Sequence, residues 1–541
     1  MCQNEGFLLT IAPPMKLLLS TALLAFCASQ PQAAALPKVD SAMLLEQIGT
    51  LASDEFEGRA PGTRGEEQTV EYLQQQFKKL GLEPGNPDGT YLQAVPLVGI
   101  SSHPTLSYGD KQLKFGDDYV AWTARPQPTV EISNSELVFV GYGVQAPEFK
   151  WDDYKGADLK GKTLVMLIND PPLPDPRRPH QLDASVFGGS AVTWYGRWNY
   201  KFEIAARLGA AAALIVHETK AAGYPYEVVV NGWGRENFAL NSKTPEPYLP
   251  AMAGWLQQDR ACELFKAAGL DFKELKQRAA ARDFKPVPLG IKLNLSAVNA
   301  TREVTSHNVV ARIAGSDPQL KNEVVVYSAH WDHFGIDETL PGPRTQQIFH
   351  GAVDNASGVA ALLQIAQAYK ALPAAPKRTI LFVATTAEER GLLGAQHYVR
   401  HPLYPIAKTI LNINIDGMNL WGRARDVELS GMGKSTADEI VTALAAKQGR
   451  VVKPNSNGSY YRGDQLEFAR AGVPTIYLRS SSAKALNYMT HQYHTVNDVV
   501  QANWNTAGAV EDISLLFQAG YQAAQAKEAP KWKPGAEFQR H

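Results

Sequence analysis

Histidines and acidic residues follow several short apolar runs in the second half of the chain. They are His330, Glu388, Glu389, Asp416 and, on the loop after the last run, His491 and His494. Asp354 lies on a polar turn between the first two runs. In an open α/β sheet, ligands bind beyond the carboxyl ends of the strands, so these side chains should converge on one edge. Imidazole and carboxylate groups are the usual protein ligands of catalytic zinc.

This set of side chains predicts a site for two divalent cations. Carboxylates that converge on one edge repel one another unless cations are present. Asp354, Glu389 and Asp416 supply three negative charges against the four positive charges of two Zn²⁺, while His330 and His494 supply neutral imidazoles. The remaining charge suits a bridging hydroxide, because two divalent ions about 3.5–4 Å apart lower the pKa of bound water. The expected chemistry is hydrolysis.

Two neighbours of these ligands have predicted roles of their own. Glu388 is expected to take a proton from the bridging water, as general base, and to pass it to the leaving amine. Asp332 lies two residues after His330 on an extended segment and therefore on the same side. Its carboxylate is expected to accept the other ring N–H and to orient the imidazole.

The elements that position these residues alternate between strands and helices. Helical periodicity separates β-rich runs that begin near residues 324, 380, 410 and 475. Near-continuous apolar strands between helices indicate an α/β fold with a mixed, largely parallel sheet and helices on both faces. Two amphipathic helices are predicted between residues 41 and 82.

The N-terminus resembles a secretory signal. Lys16 precedes the apolar run 17–26, which is too short to span a bilayer. We therefore expect residues 1–35 to be a signal peptide, with Met15 as a possible start, and the protein to be periplasmic or extracellular. Phe26 stands where a lipoprotein box needs a small residue, so no lipid anchor and no stable membrane insertion are expected.

The overall charge excludes some classes of partner. The formal net charge is -1, from 53 basic and 54 acidic residues, with no block of like charge. Nucleic acid is therefore not an expected partner. Cys262 is the one cysteine of the predicted mature chain, so no internal disulfide is expected.

Five motifs occur in a set order along the chain: Ser328-Ala-His-Trp-Asp332, Asp354-Asn-Ala-Ser-Gly358, Glu388-Glu-Arg-Gly-Leu-Leu-Gly394, Asn414-Ile-Asp416 and Tyr493-His-Thr495. In order and spacing they resemble the motifs of the M28 family of co-catalytic di-zinc peptidases. The best-known members of that family are aminopeptidases with a zinc exopeptidase fold. The resemblance therefore implies two Zn²⁺ per chain, although cobalt or manganese could occupy the same ligands.

The resemblance also implies a role for each ligand. Asp354 would bridge the metals, His330 and Asp416 would complete one zinc, and Glu389 and His494 would complete the other. The choice of His494 over His491 rests on the Tyr-His-Thr match. Tyr493 matches a tyrosine that, in some members, helps to hold the oxyanion. Family members hold the Asp-Asn bond cis, which makes Asp354-Asn355 a candidate for that geometry.

The resemblance to the M28 family also suggests how the chain divides into domains. Residues 36–130 and 291–527 would form the peptidase domain. Residues 131–290 resemble a protease-associated domain, a small β-rich insert. Residues 528–541 are expected to be a loose C-terminal tail.

The predicted function is that of an exported di-zinc exopeptidase that removes N-terminal residues from peptides with a free N-terminus. An M28-type carboxypeptidase is an alternative, since Arg462 and Arg479 could hold a terminal carboxylate. A one-metal cyclotransferase is less consistent with five ligands. A non-catalytic receptor is a further alternative, although its known examples have lost ligands.

Several residues near the motifs are expected to lie outside the ligand set. His333, which follows Asp332, should face away from His330. His350 precedes the polar turn but matches no family ligand. Asp464, like Arg462 and Arg479, lies in a segment that could line the substrate pocket.

Overall fold

The computed structural model describes residues 37–189, 192–242, 249–455, 458–480 and 483–539. The predicted signal peptide 1–35, including Met15, lies outside these residues. Within the described ranges, none of the helices has both the length and the apolar character needed to cross a bilayer.

The α-helices of the described ranges are α1 (Ser41–Leu51), α2 (Arg64–Lys79), α3 (Trp198–Arg207), α4 (Thr219–Ala222), α5 (Tyr226–Trp233), α6 (Gln258–Ala267), α7 (Phe272–Arg278), α8 (Gly358–Lys370), α9 (Leu393–Arg400), α10 (Ala437–Lys447), α11 (Gln465–Arg470), α12 (Ala483–His491) and α13 (Ala507–Gln525). The strands are β1 (Glu83–Pro84), β2 (Leu92–Tyr108), β3 (Lys111–Leu113), β4 (Tyr119–Trp122), β5 (Thr129–Phe139), β6 (Gln145–Ala146), β7 (Trp151–Asp152), β8 (Thr163–Leu167), β9 (Pro174–Asp175), β10 (Arg178–Leu182), β11 (Ala212–His217), β12 (Asn237–Leu240), β13 (Met252–Gln257), β14 (Val287–Ile313), β15 (Val324–His330), β16 (Gly335–Ile336), β17 (Ile348–Phe349), β18 (Thr379–Thr385), β19 (Thr409–Asn414), β20 (Asp426–Leu429), β21 (Val451–Pro454) and β22 (Thr475–Ser480).

Four parallel strands form the centre of the main sheet, in the order β22-β19-β15-β18. All four were predicted from apolar runs, and the expected mixed, largely parallel sheet is confirmed. Strand β20 pairs antiparallel with β22 at one side, and β14 pairs antiparallel with β18 at the other.

Helices cover both faces of this sheet, as predicted. Successive side chains of a strand point to opposite faces, so Val325 and Tyr327 of β15 pack in one apolar cluster with α8 and α13. Val324 and Val326 belong to a second cluster with residues of α9 and α11. Because both faces are buried, every residue of β15 is apolar or hydrogen-bonded.

A long strand, β14, joins this region to a second group of strands. Its C-terminal end pairs with β18, and its N-terminal part pairs with β5, which begins the order β5-β8-β11-β13-β4. Strand β2 follows β14 over 17 paired positions. Strand β4, which precedes residue 130, pairs with β13, so strand pairing crosses the predicted start of the insert. The division into domains stays a prediction.

The C-terminal segment, for which the sequence predicted a loose tail, makes hydrogen bonds to other parts of the protein. The indole N–H of Trp532 donates to the main-chain oxygen of Gly472 at 3.0 Å. Glu537 accepts from Tyr461 at 2.8 Å and pairs with Lys434 at 2.9 Å. These contacts are made by a short polar segment without periodicity, which is why the sequence pattern did not indicate them.

Candidate metal centre

The predicted ligands meet at the carboxyl edge of the parallel strands. His330 is the last residue of β15, Glu389 follows β18, and Asp416 follows β19. Because these strands are adjacent and parallel, their ends bring side chains from distant parts of the chain to one place.

Asn355 ties the turn that carries Asp354 to two of these strand ends. Its side-chain amide donates to the main-chain oxygens of His330 at 3.2 Å and Ile415 at 2.9 Å. Its carbonyl oxygen accepts from the main-chain N–H groups of Gly358 at 3.0 Å and Gly417 at 2.9 Å. The Asp354-Asn355 peptide bond is cis, as expected.

His494 follows α12 and has a left-handed backbone, with φ of 57°. Its main-chain oxygen accepts a hydrogen bond of 2.9 Å from the side-chain amide of Asn231, which lies on α5. The region of residues 131–290 therefore supports the loop that carries this histidine.

The two oxygens of Asp354 face different histidines. Nε2 of His330 lies 3.2 Å from Oδ1 of Asp354 and 3.5 Å from Oδ1 of Asp416. Nε2 of His494 lies 3.2 Å from Oδ2 of Asp354 and 3.2 Å from Oε2 of Glu389. The donors therefore form two sets that share one carboxylate.

These spacings fit metal coordination. Zinc–ligand bonds of about 2.0–2.1 Å in a tetrahedral site place two ligand atoms about 3.3 Å apart. The donor atoms of each set have this separation, and the side chains are largely buried. His330, Asp354 and Glu389 also form a group whose ligand atoms all lie within 4.8 Å of one another, as do His330, Glu388 and Asp416.

The same contacts could in principle be ion pairs of protonated histidines. Burial opposes the charged form of His494, but Glu389 and Asp354 outweigh it and raise its pKa to about 9. For His330, burial again opposes protonation, while Glu388 and other carboxylates raise the pKa well above the usual value. Two imidazolium groups would still leave an excess of buried carboxylates, which a pair of divalent cations would neutralise.

Glu388 lines the same cavity as the donor sets. Burial and the neighbouring carboxylates of Glu389 and Asp416 raise its pKa well above the usual value, whereas His330 opposes this. Burial also acts on Glu389, but His494 and His333 lower its pKa to about 2. The two adjacent glutamates therefore differ in proton affinity, as different roles require.

The predicted contact of Asp332 with His330 needs correction. Its Oδ1 lies 3.7 Å from Nδ1 of His330, and the nearer atom is the main-chain oxygen of Asp332 at 3.1 Å. The carboxylate instead accepts from the main-chain N–H groups of Glu388 at 3.0 Å and Glu389 at 3.3 Å. It is turned toward these donors because the loop after β18 leaves them without a strand partner.

His333 has a closer relation to the site than its position in the sequence indicated. Its Nδ1 lies 2.6 Å from Oε1 of Glu389, a proposed ligand. His350 instead contacts Asp54 at 2.8 Å, and His491 lies exposed at the end of α12. Spacing could not indicate the contact of His333, because Glu389 lies on the loop after β18, the strand next to β15.

Two supporting residues were missed. The carboxylate of Asp498 accepts from the main-chain N–H groups of Val353 at 2.9 Å and Asp354 at 3.0 Å. Arg59 is fully buried and donates to the main-chain oxygens of Trp331 at 2.8 Å and Gly351 at 2.9 Å. Asp498 lies four residues after His494, and Arg59 lies within the loop 54–65. These positions near the motifs are the only signals in the sequence that could have suggested the two roles.

A cavity of about 350 Å³ opens onto the donor sets. Tyr493 lines it, with its ring stacked on His494 at 3.8 Å between centroids. Arg479 also lines it and donates to the main-chain oxygen of Asp416 at 3.1 Å. Asp464 is buried, and its carboxylate accepts a hydrogen bond from the hydroxyl of Thr385, the last residue of β18. A larger adjoining hollow of about 950 Å³ is not lined by any of the five predicted ligands among the described residues.

The model of peptidase family M28 matches residues 308–518, the part of the chain that contains both donor sets. This part of the chain belongs to peptidase family M28. The matched range does not include residues 131–290, so the protease-associated insert remains a prediction.

Individual relatives agree with this family. Carboxypeptidase Q of Xenopus laevis is 28% identical over 242 residues, which cover 43% of this chain and 46% of that protein. Aminopeptidase YwaD of Bacillus subtilis is 25% identical over 233 residues, which cover 42% of this chain and 47% of that protein. The chain thus spans about half the length of these curated relatives.

The fold is also found in a solved structure. An aminopeptidase from Aneurinibacillus sp. strain AM-1 superposes with a TM-score of 0.54 at 20% identity, over 91% of this chain and 96% of the other. At this identity the likeness shows the fold alone.

Proposed function

We propose that this protein is a co-catalytic metallopeptidase that removes N-terminal residues from peptides. The observation that carries the proposal is the position of Asp354, whose two oxygens lie 3.2 Å from Nε2 of His330 and 3.2 Å from Nε2 of His494. One carboxylate between two donor sets is the arrangement expected for a pair of ions in one site.

The residues present fit two zinc ions. His330 and Asp416 would hold one ion, Glu389 and His494 the other, and Asp354 both. When bound, the ions would supply Lewis acidity toward the peptide carbonyl and would lower the pKa of water. Zinc suits ligands of mixed imidazole and carboxylate character, and two ions are proposed because there are two donor sets.

Glu388 is the proposed general base. Its raised pKa, caused mainly by burial, favours uptake of a proton from the attacking water. The same carboxyl group then gives the proton to the leaving amine nitrogen, which would otherwise depart as a poor leaving group. Tyr493, which stacks on His494 in the cavity wall, is the proposed hydrogen-bond donor to the carbonyl oxygen as it gains charge.

Other residues act as positioning residues. Asp332 holds the main-chain N–H groups of Glu388 and Glu389, and His333 contacts the carboxylate of Glu389. Asp498 holds the turn that carries Asp354. Such outer contacts orient ligands and affect both metal affinity and rate.

The proposal includes export, on the basis of the signal-like segment at residues 1–35. It includes a free N-terminus in the substrate, which the resemblance to the M28 aminopeptidases implies. A non-catalytic receptor is disfavoured, because the five ligands and Glu388 are all present and six side chains converge on one cavity.

The test is hydrolysis of leucyl-p-nitroanilide and of its N-acetyl form by purified protein, with metal content measured by mass spectrometry. We expect two metals per chain, cleavage of the free-amine substrate, and loss of cleavage with 1,10-phenanthroline that added zinc restores. Equal cleavage of the acetylated substrate would refute the requirement for a free N-terminus. A metal-loaded protein that cleaves no peptide substrate would refute the peptidase proposal.

A further inference from the structure

Two arginines from distant parts of the chain line the cavity that contains the proposed metal site. Arg197 directly precedes α3, and Arg462 lies shortly before α11, within the M28 region. Tyr493, whose ring stacks on that of His494, lines the same cavity. Only the tertiary structure brings the arginines together, since 264 residues lie between them in the sequence.

Neither arginine has an anionic partner within the described ranges. Nη2 of Arg462 donates to the main-chain oxygen of Ala222 at 3.2 Å, and its guanidinium lies 5.6 Å from the ring centroid of Tyr224. Its Nε is buried without a hydrogen-bond partner. Arg197 is only 5% exposed, and its Nε is also buried without a partner.

Arg479 gives a useful contrast in the same cavity. Its Nη2 lies 3.6 Å from Oδ2 of Asp416, and its Nε donates to the main-chain oxygen of that residue. Its charge is therefore matched by a proposed metal ligand. The charges of Arg197 and Arg462 have no such match, and a buried guanidinium without a counter-charge is costly.

The surroundings of Arg197 also favour an added anion. Burial, together with the nearby positive charge of Arg462, lowers the pKa of Arg197 to about 9. Tyr224, Tyr493 and Asp170 act in the opposite direction, and the net effect is still a lowered pKa. The carboxylate of Asp170 is already engaged, since it accepts from the N–H and the hydroxyl of Thr193, each at 2.7 Å.

We propose that Arg197 and Arg462 bind a carboxylate of the peptide substrate and make the enzyme selective for short peptides with a carboxylate next to the scissile bond. Guanidinium groups bind carboxylates through paired, charge-assisted hydrogen bonds. A peptide offers such a group from two sources, the terminal carboxylate of a dipeptide or an acidic side chain. This inference rests on the proposed peptidase function.

The test compares substrates that differ only in this charge. Leu-Leu carries a terminal carboxylate, Leu-Leu-amide carries none, and Leu-Glu-amide carries only a side-chain carboxylate, with Leu-Gln-amide as its neutral counterpart. A charge-assisted contact contributes about 1.5–3 kcal/mol, which corresponds to about a 10- to 150-fold preference in kcat/KM. Preference for Leu-Leu over its amide identifies the terminal carboxylate, and preference for Leu-Glu-amide over Leu-Gln-amide identifies the side chain.

Variants then assign the preference to the two arginines. Arg197→Gln and Arg462→Gln should each reduce kcat/KM for the preferred acidic substrate about tenfold, mainly through KM, and leave the neutral amides within twofold. Arg197→Lys should recover part of the loss. Arg207→Gln, at the exposed end of α3, is the matched control and should change none of the values.

Two results would overturn the inference. One is a wild-type enzyme that treats each acidic substrate and its neutral partner alike. The other is an equal loss on all substrates in the arginine variants, with a lowered unfolding midpoint, which would indicate a structural role. Binding of Leu-Leu and Leu-Leu-amide to the Glu388→Gln protein, measured by calorimetry, tests the same contrast without turnover.

Failure of this inference can be told apart from failure of the peptidase proposal. Chelator-sensitive cleavage of leucyl-p-nitroanilide, which has no carboxylate, supports the peptidase whatever the arginine variants show. Arginine-dependent cleavage of N-acetyl-Leu-Leu, with no requirement for a free amine, would retain the carboxylate site and replace the aminopeptidase proposal with a carboxypeptidase.

Discussion

Nδ1 of His333 lies 2.6 Å from Oε1 of Glu389, whose other oxygen, Oε2, lies 3.2 Å from Nε2 of His494. One carboxylate is thus held between an outer histidine and a proposed ligand histidine. The outer contact leaves Glu389 a single orientation toward the donor set, which should matter for metal affinity.

The first prediction concerns His333. His333→Ala should weaken metal binding, activity or both by about 10- to 100-fold, because Glu389 loses its outer partner. His333→Asn should lose less, since its amide can still donate. Competition with a zinc indicator measures the affinity. His491→Gln changes an exposed histidine and serves as the control, and a His333→Ala protein with unaltered zinc affinity and unaltered activity would contradict the prediction.

The second prediction concerns Glu388. Glu388→Gln should lower kcat by about 10²–10⁴-fold, because the amide cannot accept the proton. The metal content should remain at the wild-type value. Glu388 also lies near the donors of His330 and Asp416, so loss of one metal in this variant would make it a ligand and not the base.

The third prediction concerns the support of His494 by Asn231. Asn231→Ala removes the 2.9 Å hydrogen bond to the main-chain oxygen of His494. A net loss of about 1 kcal/mol would reduce kcat/KM about fivefold. The unfolding midpoint should change little, because the contact is only partly buried. A large fall in the midpoint with unchanged kcat/KM would instead place the role of Asn231 in folding.

The fourth prediction concerns removal of the metals. Chelation should lower the unfolding midpoint, because Asp354, Glu389 and Asp416 would then repel one another without cations. A ligand at about 1,000 times its Kd stabilises the folded state by about 4 kcal/mol. Scanning calorimetry with and without chelator measures the shift, and added zinc should reverse it. Asp354→Asn should respond much less, and an equal response would argue against a shared ligand.

The fifth prediction concerns stability at low pH. Burial among aromatic side chains lowers the pKa of His217 from 6.5 to about 4. Above pH 6.5 the histidine is neutral in both states. As the pH falls toward 4, the unfolded state takes up a proton and the folded state does not, so stability is lost in that interval, by roughly 2 kcal/mol between pH 7 and pH 5.

His217→Phe should reduce this loss, as measured by urea unfolding at the two pH values. The exposed His180→Gln variant should keep it. An identical loss in wild type and His217→Phe would assign the acid sensitivity to other groups.

The sequence was sufficient for the central strands and for the types of ligand. Apolar runs that end at His330, before Glu388 and before Asp416 are local features, and adjacent parallel strands bring their ends together in any α/β sheet. The same argument indicated hydrolytic metal chemistry. Motif order along the chain then led to peptidase family M28.

The tertiary structure alone decided the contacts between residues far apart in sequence. Asp332 turned out to hold the N–H groups of Glu388 and Glu389, and His333 to contact Glu389, because β15 and β18 are neighbours. Arg197 and Arg462 line one cavity because the long strand β14 joins the two groups of strands. Periodicity reports which face of an element is buried, whereas the partner of each buried polar group depends on how the elements pack.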